Sequence, residues 1–292
     1  MESWLSELIA KEKLPAAFVR TVDTIHRPIA NWITEVASTR SRTTIMGLCG
    51  PQGSGKSTMV TALQALLADR GHRAAILSLD DLYLTRAERE RLAATVHPLL
   101  RTRGVPGTHD VALGLAVLDS LSRPGETRVP RFDKALDDRQ PPEAWEPVQG
   151  PVDVVLFEGW CVGARPQPEA ALSAPVNDLE RNEDPDAHWR RYVNDALAGS
   201  YQRLFARIDK LVMLAPPSFD VVVGWRTEQE QKLRQAMQAG GEAPRGMSDA
   251  DIARFVAHYE RLTRHILAEM PARADVVIGL DEHRQATNLR LR

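Results

Sequence analysis

The stretch Thr44-Ile45-Met46-Gly47-Leu48-Cys49-Gly50-Pro51-Gln52-Gly53-Ser54-Gly55-Lys56-Ser57-Thr58 decides the fold. Its first six residues form an apolar, strand-like run. From Gly50 to Ser57 every fixed position of the phosphate-loop pattern G-x-x-x-x-G-K-[ST] is filled. Glycines let such a loop curl so that successive backbone N–H groups point inward at anionic oxygens, and the following helix turns its positive N-terminal end to the same place. Gly50, Pro51, Gln52, Gly53, Ser54, Gly55, Lys56, Ser57 and Thr58 are therefore the expected nucleotide-binding residues. Within them Lys56 is the cation that reaches the β- and γ-phosphates, and Ser57 is a hydroxyl ligand for Mg²⁺. Met59, Leu63, Leu66 and Leu67 then fall at helical spacing and Gly71 ends the helix, so the loop lies between strand and helix as the pattern requires. The residues imply binding of ATP or GTP.

Working outward, five β-rich runs, at 44–49, 74–79, 152–157, 210–215 and 275–280, alternate with helical patterns. This alternation predicts an α/β chain with a five-stranded parallel sheet covered on both faces. Residues 1–40 read as an N-terminal helical extension, broken at Pro15 and Pro28, and 41–292 as the nucleotide-binding domain. Two connections, 83–150 and 161–209, are too long to be plain links and are expected to carry function. The sequence shows no internal repeat and no low-complexity tract.

The 292 residues are 43% apolar and 26% charged, an ordinary globular composition. A net charge of −2 and a pI near 6.5 provide no overall positive field, so neither nucleic acid nor an anionic membrane is an expected partner. Two cysteines, Cys49 and Cys161, lie outside any C-x-x-C pair, which leaves a zinc site or disulfide framework without support. No run approaches the roughly 18 apolar residues of a membrane span, and the N-terminus carries an early acid instead of an apolar leader. A cytoplasmic protein is expected.

Acids at strand ends supply the next signals. Leu77-Ser78-Leu79-Asp80-Asp81-Leu82-Tyr83 places two carboxylates where the second strand ends, at the edge that forms the ligand crevice of an open α/β sheet. Asp80 can accept a hydroxyl proton from an acceptor. Asp81 can instead cap the next helix, and capping is open to Asp80 as well. In Val152-Asp153-Val154-Val155-Leu156-Phe157-Glu158-Gly159-Trp160 an apolar strand ends at Glu158, which beside a phosphate loop reaches the Mg²⁺ shell directly or through water, or else begins a surface loop.

Taken in order, Gly50–Thr58, 78–83, Arg103-Gly104-Val105-Pro106-Gly107-Thr108-His109-Asp110, Val129-Pro130-Arg131-Phe132-Asp133-Lys134, 156–160, Gly224-Trp225-Arg226 and Gly246-Met247-Ser248-Asp249 resemble the D-glycerate 3-kinase family. That family belongs to the small-metabolite kinases that include uridine kinase, pantothenate kinase and phosphoribulokinase. The resemblance covers about 44–282 and departs in 161–200. It implies a P-loop NTPase fold, a doubly wound five-stranded parallel sheet with the phosphate loop on a central strand, together with ATP as co-substrate, Mg²⁺ as cofactor and a small hydroxy-acid acceptor, D-glycerate at its 3-hydroxyl. It also implies an acceptor-side insertion at about 83–150 and a lid at about 217–246.

Carried over by position, the resemblance makes Lys56, Asp80 and Arg226 the catalytic residues, with Asp80 as general base or orienter of the acceptor hydroxyl. Tyr83, His109, Arg131 and Lys134 become the acceptor-binding residues, and Ser57 and Glu158 the metal residues. His109 is open to substrate contact or local structure, and Thr108 or Asp110 to capping the next helix. Arg131 and Lys134 suit a carboxylate-bearing acceptor, Arg131 by its bidentate fork, with solvated surface charge as the alternative. Arg226 opens a polar helix that also carries Lys232 and Arg234, which can pair with Glu228 and Glu230, and ends at Gly240-Gly241. Residues 280–284 sit where related kinases build part of the adenine pocket. His188, His258 and His265 lack metal-ligand spacing, and no Ser-His-Asp signature occurs. A kinase for a nucleoside, pantothenate-like or sugar acceptor, and an ATP-gated regulator without turnover, are the competing readings.

Overall fold

A computed structural model of the chain describes residues 2–239 and 248–292. Its centre is a six-stranded sheet: β1 Thr44–Cys49, β2 Ala74–Ser78, β3 Val154–Gly159, β4 Lys210–Ala215, β5 Val276–Leu280 and β6 Ala286–Leu291, in the spatial order β6-β5-β4-β1-β3-β2. The five strands expected from the alternating runs are present and mutually parallel. The sixth was not anticipated. It returns antiparallel along β5 as an exposed edge, and its Ala-Thr-Asn-Leu-Arg-Leu sequence buries too little to give a strand signal.

Alternation along the central strands explains why both faces are covered. Side chains at successive positions point to opposite faces. Ile45, Val155, Phe157, Leu211 and Met213 join a core shared with the helix α2 Val111–Leu121 and the helix α4 Asp249–Glu269. Met46, Leu48, Val154, Leu156, Val212 and Leu214 join a second core. That second core is completed by Met59, Leu63 and Leu66 of the helix α1 Lys56–Ala68 and by Leu5, Val22, Ile29 and Ile33 of the first forty residues. The N-terminal segment is thus packed onto the sheet as one wall of the second core. Among the described residues no helix is long and apolar enough to cross a membrane.

The two long connections are largely structured. Residues 83–150 hold Arg86–Thr95, α2 and two small antiparallel ribbons, Gly125–Val129 with Glu146–Gly150 and Phe132–Asp133 with Asp138–Arg139. Residues 161–209 are helical and held by buried ion pairs, Arg190 with Asp184 at 3.0 Å and Arg261 of α4 with Glu180 at 2.6 Å. Of the expected lid, the described part is the helix α3 Phe219–Ala239. Its first turns pack Phe219 and Val222 against Ile252 and Val256 of α4. Gly240, Gly241, Gly246 and Met247, and the side chains of Lys232 and Arg234, lie outside the described residues.

Burial pushes three histidines in these layers down, His26 to about 4, His109 to about 3 against the charge of Asp80, and His258 to about 4. The unfolded chain binds their protons more readily, so this contribution to stability is complete above the ordinary value near 6.5 and is lost as pH falls toward 4. Each histidine is expected to remove about 2 kcal/mol between pH 7 and 5. Asp81 and Glu158, raised by burial, act in the opposite sense. The test is therefore a difference: His26→Gln should flatten the pH dependence of the urea midpoint over this range relative to the parent, and parallel curves would refute it.

Candidate active site

The phosphate loop curls as its glycines permit. Gly53 adopts φ +76°, and a Cβ there would stand 2.9 Å from Trp225 Cβ, so the position needs both the left-handed conformation and the missing side chain. Gly55 is the N-cap of α1 and offers no side-chain cap, which leaves the first N–H groups of α1 directed at the loop's hollow. Lys56 is partly exposed and Ser57 exposed at this helix start. Ser54 Oγ is buried without a hydrogen-bond partner.

Glu158 lies within β3, one position farther into the strand than the sequence pattern indicated, in register with Leu48 and Ser78. Strand alternation puts it on the side of Leu156, facing α1. There Ser78 Oγ donates to Glu158 Oε1 at 2.7 Å, and Ser57 Oγ stands 3.4 Å from the same oxygen. Burial raises the Glu158 pKa, opposed by the charge of Lys56. Its other oxygen, Oε2, is buried and has no hydrogen-bond partner. A hydroxyl and an acid with an unsatisfied oxygen, beside a loop for phosphates, fit Mg²⁺. This ion takes one or two protein ligands, keeps waters and relies on nucleotide phosphates for the rest. Among the described residues no cluster of three or more His, Cys, Asp or Glu forms an all-protein metal cage.

Asp80 follows in a short 3-10 turn, Leu79–Leu82, where Ser78 Oγ accepts from its backbone N–H at 3.3 Å. Tyr83 donates its hydroxyl to Asp80 Oδ1 at 2.9 Å, and Lys134 Nζ donates to Oδ2 at 2.8 Å. Burial tends to raise the Asp80 pKa. The charges of Lys134 and Lys56, with the two side-chain hydrogen bonds, outweigh it and hold the carboxyl well below the usual carboxylate range. The phenol of Tyr83 is raised well above its ordinary value, by burial first and Asp80 second, so it remains a donor.

The neighbouring acid does different work. Asp81 accepts from the Phe132 backbone N–H at 3.0 Å and from Arg131 NH1 at 3.2 Å, tying the 130–134 segment to the end of β2. It caps no helix; Thr85 and Glu88 form the capping box of the next one. Arg131 places its other arm on Glu146 at 2.6 Å, so its fork is occupied by two carboxylates of the chain itself. Arg131, expected at an acceptor carboxylate, here has its fork engaged by Asp81 and Glu146. Lys134, on the same ribbon, is 60% exposed beside Asp80.

His109 is buried under Tyr83, its ring stacked at 4.6 Å, and its Nδ1 lies 2.6 Å from the hydroxyl of Tyr201. Gly107 N–H donates to that hydroxyl at 3.0 Å, which leaves the phenol proton able to point at Nδ1. Nε2 is buried and unpartnered. Thr108 closes a local turn with Gly104 and Val105, and Asp110 caps α2 through the Leu113 N–H at 2.9 Å. The Gly107–Asp110 segment thus holds Tyr83 in place from below.

Arg226 lies over the Phe255 ring with its guanidinium carbon 5.5 Å from the centroid, and its charge reaches Tyr259. Residues the sequence reasoning missed complete the surroundings. Tyr259 donates to Arg103 O at 2.9 Å, while a Cβ on Gly104 (φ +132°) would overlap the Tyr259 hydroxyl at 1.9 Å. Trp160 Nε1 donates to Gly104 O at 2.8 Å. Arg284 donates to Gly53 O at 2.9 Å, and Tyr201 braces His109. Trp225, Trp160, Gly104 and Arg284 stand within or beside motifs already quoted. Tyr201 and Tyr259 carry no local signal.

Known proteins resemble this chain along most of its length. A family profile described as "Methylmalonyl Co-A mutase-associated GTPase MeaB" matches residues 17–83, the stretch that contains the phosphate loop and the Asp80 turn. The chain is 36% identical over 225 residues to the "Uncharacterized kinase mug58" of Schizosaccharomyces pombe, covering 74% of this chain and 78% of that protein. It is 33% identical over 259 residues to the chloroplastic D-glycerate 3-kinase of Arabidopsis thaliana, covering 82% of this chain and, at 53%, about half the length of the plant protein. The solved structure of a D-glycerate 3-kinase from Cryptococcus neoformans var. grubii superposes with a TM-score of 0.72 at 25% identity, over 92% of this chain and 99% of that one. With a phosphate loop feeding an acid-bearing second strand of its own and this likeness along most of its length, the chain belongs to the family of P-loop kinases that includes these D-glycerate 3-kinases.

Proposed function

We propose that the chain uses Mg²⁺-ATP to phosphorylate the 3-hydroxyl of D-glycerate. The observation that carries this reading is the Asp80 carboxylate, within the field of Lys56 on one side and bonded to the exposed ammonium of Lys134 on the other. A hydroxyl hydrogen-bonded to Asp80 lies beside the phosphate loop, and a carboxylate on the same small molecule meets Lys134. This role passes from Arg131 to Lys134 because the Arg131 fork is closed by Asp81 and Glu146.

Phosphoryl transfer forms the bond from acceptor oxygen to γ-phosphorus, breaks the bond from γ-phosphorus to the β,γ-bridging oxygen, and releases the acceptor's hydroxyl proton. Mg²⁺ held at Ser57 and Glu158 would supply positive charge to the phosphate oxygens. Lys56 and the N–H groups of the loop stabilise the charge that develops on the transferred group. A carboxylate held far below its ordinary pKa is a weak base, so Asp80 first orients the hydroxyl and takes its proton late. An acceptor carboxylate that draws Lys134 toward itself loosens the hold on Asp80 and raises its basicity. Tyr83, packed on His109, fixes the other Asp80 oxygen.

The test is ADP release from purified protein across a panel of D-glycerate, L-glycerate, glycerol, uridine and pantothenate. D-glycerate is expected to lead, and more efficient phosphorylation of an uncharged alcohol would remove the glycerate reading. In the same assay Lys134→Gln should raise the apparent KM for D-glycerate about 10- to 150-fold, the equivalent of one lost charged hydrogen bond, with the KM for ATP little changed. Arg131→Gln should raise it less, since Arg131 acts through Asp81. Lys134→Gln also removes the main influence lowering the Asp80 pKa, so the acid limb of kcat/KM should move to higher pH. An unmoved limb would separate Lys134 from Asp80.

A further inference from the structure

Arg284 lies in the 281–285 turn between β5 and β6, closed by Asp281 N–H donating to Gln285 O at 2.9 Å. Its backbone has φ +65°, a conformation in which a non-glycine residue is disfavoured. A glycine here would remove that strain, so the side chain has work to do. Its Nε donates to the Gly53 carbonyl at 2.9 Å. Its NH2 pairs with Glu228 of α3 at 2.7 Å, and its guanidinium carbon lies 5.4 Å from the centroid of the Trp225 ring. Trp225 in turn donates Nε1 to Glu282 O at 2.6 Å and lies where a Gly53 side chain would be. The phosphate loop, the start of α3 and the 281–285 turn therefore meet at one guanidinium.

A planar trans peptide points its C=O and N–H in opposite directions. With the Gly53 carbonyl held by Arg284, the Ser54 N–H of the same peptide points away from Arg284 and donates across the loop to Pro51 O at 3.2 Å. We propose that Arg284 is a positioning residue of the nucleotide site, holding the Gly53 peptide so that the loop keeps its phosphate-binding curvature and tying it to the helix that bears Arg226. The inference rests on the P-loop kinase reading and on no particular acceptor.

Mg²⁺-ATP and Mg²⁺-tripolyphosphate binding to Arg284→Gly and Arg284→Ala, measured by calorimetry without acceptor, test it. Both variants should bind both ligands about 10- to 30-fold more weakly, because a charged hydrogen bond that shapes the loop is gone. The glycine variant should be the more resistant to urea, because alanine keeps the unfavourable φ. Arg284→Lys, which can still reach Gly53 O, should recover part of the affinity. Parental affinity in the glycine variant would overturn the proposal, since the turn's backbone and not the guanidinium would then matter. Unchanged tripolyphosphate binding with weakened ATP binding would also overturn it, by showing that Arg284 serves the nucleoside end instead of the loop. Failure of D-glycerate as acceptor leaves both measurements intact.

Discussion

Lys56→Ala is expected to lower turnover by roughly 10²–10³, the size seen when one preorganised donor to transition-state charge is removed. Lys56 sits at the first position of α1, partly exposed, where alanine is the best helix former, so the fold should persist. The local field changes as well. Lys56 opposes the burial that raises Glu158 and helps hold Asp80 ionised, so its loss pushes both carboxyls upward. Single-turnover phosphorylation by the variant, alongside its thermal unfolding, checks the expectation. Near-parental turnover in a folded variant would remove Lys56 from the catalytic role.

Asp80→Asn should separate binding from chemistry. The amide keeps the shape of the carboxylate but loses its charge and its capacity to accept a proton. Phosphoryl transfer should fall by about 10²–10⁴ while the dissociation constant for Mg²⁺-ATP changes little. Lys134 then has no carboxylate to hold, and its raised pKa, caused first by the charge of Asp80, should relax toward the ordinary lysine value. Tyr83 keeps a partner for its hydroxyl in the amide oxygen, so the turn beneath should survive. Collapse of ATP affinity with normal transfer from bound ATP would instead move Asp80 into the nucleotide site.

Much of the fold was legible because its signals are local. The phosphate loop, the strand before it and the helix after it occupy one short stretch, and the five parallel strands announce themselves by continuous apolar runs that both cores bury. Asp80 and Glu158 were marked by their place at strand ends, a property of neighbouring residues. Glu158 and Ser78 meet because parallel pairing puts them in register, which the sequence implied only in outline.

What the tertiary structure decided lies in pairs far apart along the chain. Lys134 reaches Asp80 across 54 residues, His109 meets Tyr201 across 92, and Arg284 finds Gly53 across 231. Arg131 has the fork that suits a carboxylate, and only the ribbon's docking on Asp81, 50 residues earlier, shows which carboxylate fills it. The edge strand β6 is similar: half-polar and exposed, it forms because β5 presents an unpaired row of backbone groups. Periodicity and loop chemistry arise between adjacent residues and are written in the sequence. The partner of a charged side chain is set by which distant segments the packed sheet brings together.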